Sequence, residues 1–374
     1  MLSQFDEYPI HQTPEPIAFH SSSDRNVYDR SWFNGFASDG SYFFGLTLGV
    51  YPNRGILDCA FSVLAAGGQQ HCVHASRRAP TDRGETAAGP ISIEVLEPMR
   101  RIRVRVAENA SGISADLMFS TRSAAVREAR QTLWSGTRRT MDATRYDQFG
   151  RWSGTIRLPN GEIAVDKRIC LGIKDRSWGV RRFGEPEPVG PLGTHRPLFL
   201  WAPIFWNDHV THAIFFDDKD GNPLVREALE APVYADANAV PGIEDGRDRR
   251  MATALHRVKY RIGTRHASSA EIDLVETGGA VRTLRLQPML KFLQKGIGYG
   301  HPKWGHGLWR GELSVEHESF DPEAVDPLAI ENIHIQQVVR ASDGIREGVG
   351  ILEQFIIGPY APAGLEGLLD GAKA

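Results

Sequence analysis

Histidine, tyrosine, tryptophan and glycine crowd one short run of this chain, Gly298-Tyr299-Gly300-His301-Pro302-Lys303-Trp304-Gly305-His306-Gly307. Glycines let a backbone approach a ligand closely. Tyr299, His301 and His306 can exchange protons, and Trp304 offers a flat apolar face. The run reads as a loop closing over a site. His301 and His306 lack a neighbouring carboxylate, so they make a poor metal pair and no metal is expected. A second candidate is Lys174-Asp175-Arg176-Ser177-Trp178-Gly179. The preceding strand carries Ile163, Val165, Ile169, Leu171 and Ile173 on one parity, and Asp175 extends it inward while Arg176 faces away. A carboxyl there loses its water and needs a proton or a cation in compensation. Asp175 is therefore either a general acid or base, or the cap of a tight turn. Trp178 and Arg176 are the candidate substrate contacts beside it.

A third candidate is the apolar hairpin 197–218, with Asn207-Asp208 as its two-residue turn. One face would hold Phe199, Trp201, Pro203, Phe205, Val210, His212, Ile214 and Phe216. His212 would be the one ionisable group on that face, either a base near neutrality or a core histidine bonded to a carbonyl. Trp201 would line a substrate wall. A weaker candidate is the Arg145-Tyr146-Asp147-Gln148-Phe149-Gly150 stretch, read as a polar loop that offers Tyr146 to a substrate.

The elements that must hold these groups are strands. Period-two alternation broken at Gly, Pro, Asn or Asp runs through 41–51, 55–66, 91–98, 101–109 and 112–120, and again through 256–288 and 331–358. A hairpin is expected over 154–173, around Pro159-Asn160-Gly161. Short helices are expected only at 121–133 and 363–373. A Pro- and Gly-rich stretch at 184–197 divides the chain into domains 1–185 and 186–374. Gly150-x-Trp152-x-Gly154-x-Ile156 and Gly307-x-Trp309-x-Gly311-x-Leu313 form a faint repeat, one copy in each half, which points to two related β domains.

Composition narrows the function. The 374 residues carry a formal net charge of −3, against the basic excess of a general nucleic-acid binder. No apolar run reaches the roughly 18 residues of a membrane span, and the N-terminus is not a signal peptide, so a cytoplasmic protein is expected. Three widely spaced cysteines, Cys59, Cys72 and Cys170, are not a disulfide framework. Dinucleotide-binding, P-loop, nucleophile-elbow and zincin motifs are lacking, so no organic cofactor is expected.

DRSWGVR at 175–181, GYGHPKWGHG at 298–307 and EQFIIGP at 353–359 resemble a bacterial family of two-domain lipocalin-like proteins. That family is related to the AttH-like and carotenoid 1,2-hydratase (hydroxyneurosporene synthase) proteins. The resemblance implies an all-β chain of two tandem calycin-like barrels with a hydrophobic pocket. It also implies water addition to an alkene by acid catalysis without an organic cofactor. The reading that follows is a cofactor-independent lyase or isomerase acting by general acid/base catalysis on a bulky hydrophobic or aromatic molecule. Asp175, His301, His306, Tyr299 and His212 would be the proton-active groups. Trp178, Arg176, Trp304, Trp201 and Tyr146 would hold the substrate. The alternatives are a non-catalytic carrier of a hydrophobic ligand and a metal-dependent oxygenase or hydrolase. A homodimer is compatible with either.

Overall fold

In a computed structural model that describes residues 3–183 and 197–373, the expected strands pair into two antiparallel sheets. The first is a nearly closed barrel and the second a half-barrel. Tyr42–Tyr51, Ile56–Ala65, Ile91–Glu97, Arg101–Val106 and Ser114–Thr121 match the alternating segments of the sequence. The Asn207-Asp208 hairpin has the expected register, with Phe205 opposite Val210 and Pro203 opposite His212. The expected boundary at 185/186 and the 184–196 stretch lie outside the described residues.

Three strands form the ribbon on which the rest depends. Cys170–Arg181 lies between Val27–Ala37 and Arg138–Leu158, and the register aligns Trp32, Asp175 and Asp147 in one row. Side chains alternate across a strand, so this row fixes two faces. One face points into the first barrel, where Phe33 meets Trp152 edge-on at 5.8 Å. Trp152 is fully buried, and its indole N–H donates to the Asn34 carbonyl at 2.7 Å. Gly172 is required beside it, since a Cβ there would sit 2.2 Å from the indole nitrogen.

The opposite face carries Trp32, Phe36, Phe149 and Ile173, together with Arg145, Asp147 and Asp175. It packs on Phe199, Trp201, Phe205, Val210 and Ile214 of the second sheet. The alternate residues Leu198, Leu200, Ala202 and Ile204 fill the half-barrel's own core. That strand is buried on both faces, which is why it is almost wholly apolar.

The two sheets are stitched together. The chain leaves the second sheet after Val281–Leu293, runs through 294–312, and adds Leu313–Phe320 to the edge strand Gln70–Arg78 of the first. It then returns to the second sheet at Ile335–Ser342. Gln70 locks the crossing by donating to the Leu293 carbonyl at 2.8 Å and accepting from its N–H at 3.0 Å.

Several expectations fail. No α-helix occurs among the described residues. Over 121–133, the Arg122 and Ser123 amides both bond the Phe149 carbonyl, which ties the segment to the long strand beside it. Over 363–373, the buried Arg265 guanidinium takes the Gly367 carbonyl, which a helix would keep for itself, and ties the segment through Asp370 to the Ile356 and Gly358 carbonyls of the second sheet's last strand and its exit. The strand expected through 161–173 is interrupted after Val165 by a turn in which the Cys170 amide bonds the Asp166 carbonyl. The polar loop at 145–150 is instead the middle of Arg138–Leu158. The repeat does not survive either. Trp152 is a core residue, whereas Trp309 lies outside any strand, is 44% exposed and stacks on Arg78.

Candidate active site

Where the ribbon face meets the second sheet, the packing leaves a cavity of about 210 Å³. Trp32, Phe199, Trp201, Phe216 and Phe355 make its wall apolar and aromatic. Trp32 and Trp201 meet edge-on at 5.9 Å, and Phe199 packs between Phe216 and Phe355.

Two carboxylates enter this wall in different settings. Asp175 arrives on the strand parity that the sequence indicated. Its Oδ2 faces Arg145 Nε at 3.2 Å as an ion pair, and its Oδ1 is buried with no hydrogen-bond partner. Glu353 enters from the second sheet. His334 Nε2 lies 2.6 Å from Glu353 Oε1, and Gln336 Nε2 donates to Oε2 at 2.6 Å. Gln336 is fixed in turn by Asn34, whose Nδ2 donates to Gln336 Oε1 and whose side-chain Oδ1 accepts the amide of Ile173, two residues before Asp175. One buried relay of amides therefore sets the position of both carboxylates.

Tyr299 joins them from the crossing segment. Its ring touches those of His334 and His306 edge-on, at 4.8 and 4.7 Å. His306 itself lies behind Tyr299, outside the cavity wall. Its Nε2 donates to the Ile297 carbonyl at 2.8 Å, and burial holds it neutral, well below the ordinary histidine range.

His212 also sits one layer back, against Trp201 at 5.6 Å. Its Nε2 is 3.4 Å from Asp147 Oδ2 and 4.0 Å from Glu128 Oε1. Burial, followed by Arg145 and Arg250, pushes His212 down to about 3. Burial and then the charge of Glu128 push Asp147 up, and burial, opposed by Arg145 and aided by Asp175, pushes Glu128 up. Glu128, Asp147 and His212 bring three donor atoms within 4.8 Å of one another, a set that could hold a cation. A proton kept on the carboxylate pair, with neutral His212 as acceptor, satisfies the same atoms.

The remaining candidates lie elsewhere. His301 and Trp304 point to the other side of the crossing segment. His301 Nε2 faces Glu318 Oε1 at 3.1 Å, which His74 Nε2 also approaches at 3.3 Å, and Trp304 stacks on His74. His301 Nδ1 accepts the Lys303 and Trp304 amides, so its proton is on Nε2 and no lone pair is left there for a metal. Cys72, His74 and Glu318 form a second compact donor group, but burial keeps the Cys72 thiol protonated. Arg176, Trp178 and Tyr146 fall on the opposite ribbon parity from Asp175, outside the cavity. Arg176 pairs with Asp29 at 2.8 Å, and Trp178 is 41% exposed against Tyr146. Their adjacency to Asp175 in sequence is the reason they point away from it.

His334 and Trp32 are cavity residues that the motif reading did not name, and Arg145, Arg181 and Glu353 are cavity residues that stood inside its quoted stretches without being given a role.

No curated protein matches the sequence. Solved structures do match in fold. An AttH described from Nitrosomonas europaea superposes with a TM-score of 0.55 at 13% identity, covering 93% of this chain and 98% of that one. Kievitone hydratase from Nectria haematococca gives 0.52 at 11%, covering 90% and 93%. The two-barrel lipocalin-like fold expected from the sequence is thus shared with solved proteins. The family model that matches residues 2–366 carries the description "Family of unknown function (DUF8625)", and the chain belongs to that family.

Proposed function

We propose that the chain is an enzyme of the hydratase or isomerase type. It would add or remove water, or move a proton, on a bulky hydrophobic or aromatic molecule held between the sheets. One observation carries this reading: two differently compensated carboxylates line the same aromatic cavity, with a histidine on one of them. A carrier of apolar ligands has no use for an ion-paired Asp175 and a hydrogen-bonded His334 in its wall.

The roles follow from the partners. Glu353 orients His334 through the 2.6 Å contact to Nε2, and His334 is assigned the proton-donor role. Arg145 holds Asp175 through Oδ2, and the unpartnered Oδ1 is placed to accept a proton from water or from a carbon next to the reacting centre. Cationic character that develops on the substrate is stabilised by Asp175 and by the ring faces of Trp32 and Trp201. The Tyr299 hydroxyl is a further donor at the site. His306 positions Tyr299 from behind. His212, with Asp147 and Glu128, supports Trp201 and Arg145.

The test is incubation with a panel of hydrophobic alkenes, tertiary and allylic alcohols and conjugated enones in deuterated water. Mass spectrometry would follow gain or loss of water and deuterium uptake. Turnover that vanishes in Asp175→Asn supports the reading. Tight binding of such compounds with no exchange in any of them would make the protein a carrier.

A further inference from the structure

The charge in the cavity is uneven. Asp175 is matched by Arg145, and Glu353 by His334 and Gln336. At the end near Tyr299 the balance is lost. Arg181 lines the cavity, and its guanidinium lies over the rings of Tyr28 and Phe183, at 5.3 and 4.9 Å. Arg30 is 1% exposed and lies over the Tyr299 ring at 5.1 Å, with Nε and Nη1 lacking any hydrogen-bond partner. Among the described residues, neither arginine has a carboxylate within ion-pair distance. Asp58, on the Tyr51 side, already accepts from the Gly307 amide and the Tyr51 hydroxyl.

Arg30 is held out of water and Arg181, half-buried at the cavity wall, carries the same charge. Aromatic faces return only part of the hydration they have lost. Among the described residues, no anion answers this pair of charges. A guanidinium fork fits a planar oxyanion with two hydrogen bonds, and such pairs are strong where water is excluded.

We propose that the cavity takes a substrate bearing a carboxylate or similarly acidic oxygen group, seated on Arg181 with Arg30 behind it. The apolar body extends toward Trp32, Trp201 and Phe355, which places the atoms beyond the acid group between Asp175 and His334. This inference rests on the cavity being the substrate site, as proposed above. It adds the substrate's charge and the direction in which it lies.

Two fluorescent probes that differ by one acidic group test it. These are 8-anilino-1-naphthalenesulfonate and its uncharged parent N-phenyl-1-naphthylamine. The native chain is expected to bind the sulfonate at least about tenfold more tightly than the parent. Arg181→Met should reduce that preference to below about threefold without weakening the neutral probe. Arg30→Met, checked for folding by circular dichroism, should reduce it less. Leu133→Trp, which fills the cavity, should exclude both probes. Equal affinities in the native chain, or a preference untouched by Arg181→Met, overturn the anionic substrate and leave the cavity standing. Both probes binding unchanged in Leu133→Trp removes the cavity as the binding site, and the proposal with it.

Discussion

Glu318 is shared by His74 and His301 under the ring of Trp304, and Glu353 holds His334 beside Trp201 and Trp32. Both groups combine histidine, carboxylate and tryptophan, and both lie along the crossing segment or next to it. Around His74 and Trp304 the packing leaves a void of about 10 Å³, against about 210 Å³ beside His334. His301 spends one ring nitrogen on two backbone amides and the other on Glu318, so it clamps the segment. Asp175 keeps an unpaired oxygen and borders open volume. Residue types alone do not separate a clamp from a reactive site. Unspent hydrogen-bonding capacity next to empty space does.

This contrast can be broken in order of expected effect. Arg145→Met leaves Asp175 without its cation and removes the charge facing Glu128, and should cost about 3–5 kcal/mol of stability. Urea unfolding measures it. A loss below about 1 kcal/mol would mean that protons already neutralise these acids without the arginine.

Asp175→Asn and His334→Ala should each lower turnover by about a hundredfold or more while the circular dichroism spectrum stays native. His301→Ala should leave turnover within about threefold, since its ring meets no substrate. A reversal of that order, with His301 the more sensitive, would exchange the two assignments.

The pH profile sharpens the picture one layer further in. The unfolded chain protonates His212 near the ordinary value of 6.5, whereas the folded chain does so only near 3. The histidine's contribution is therefore full above 6.5 and is lost as the pH falls through that window, by up to about 1.4 kcal/mol per unit. Asp147 and Glu128, pushed upward, act with the opposite sign and lose stability as the pH rises. His212→Phe should flatten the acid side of the urea-midpoint profile. An unchanged slope would put a compensating proton in the native cluster.

The smallest effect belongs to the clamp. His301→Ala should cost about 1 kcal/mol, read from the same urea series, because Glu318 is partly solvated and still has His74. A loss several times larger would show that the clamp holds the whole crossing segment in place.

Strand-level patterning was legible where one face is apolar and the other polar, as in Arg101–Val106 and Ser114–Thr121. It failed at 121–133 because amide bonds to Phe149 override a helix-like composition. It failed at Trp309 because a shared motif says nothing about burial. Asp175 was legible from parity, since a strand continues its alternation to its end. The partners of Asp175 were not legible. Arg145 reaches it through strand pairing, and His334 and Glu353 reach the cavity through packing of the second sheet, which no local pattern encodes. The same parity that exposes Asp175 to the cavity sends Arg176 and Trp178 away from it. Neighbours in sequence were thus poor guides to neighbours in the site.

The strand Leu313–Phe320 works as a rivet between the two halves. A chain cut in the 184–196 region would leave the Gln70–Arg78 strand as a bare edge in the first piece, open to pairing with other copies. The second piece would carry an unpaired strand of its own. Neither half is expected to persist as a soluble body alone, and co-expressed halves should recover a single melting transition. Exchange of one half between relatives would have to carry matching edges, so the two halves are constrained to change together.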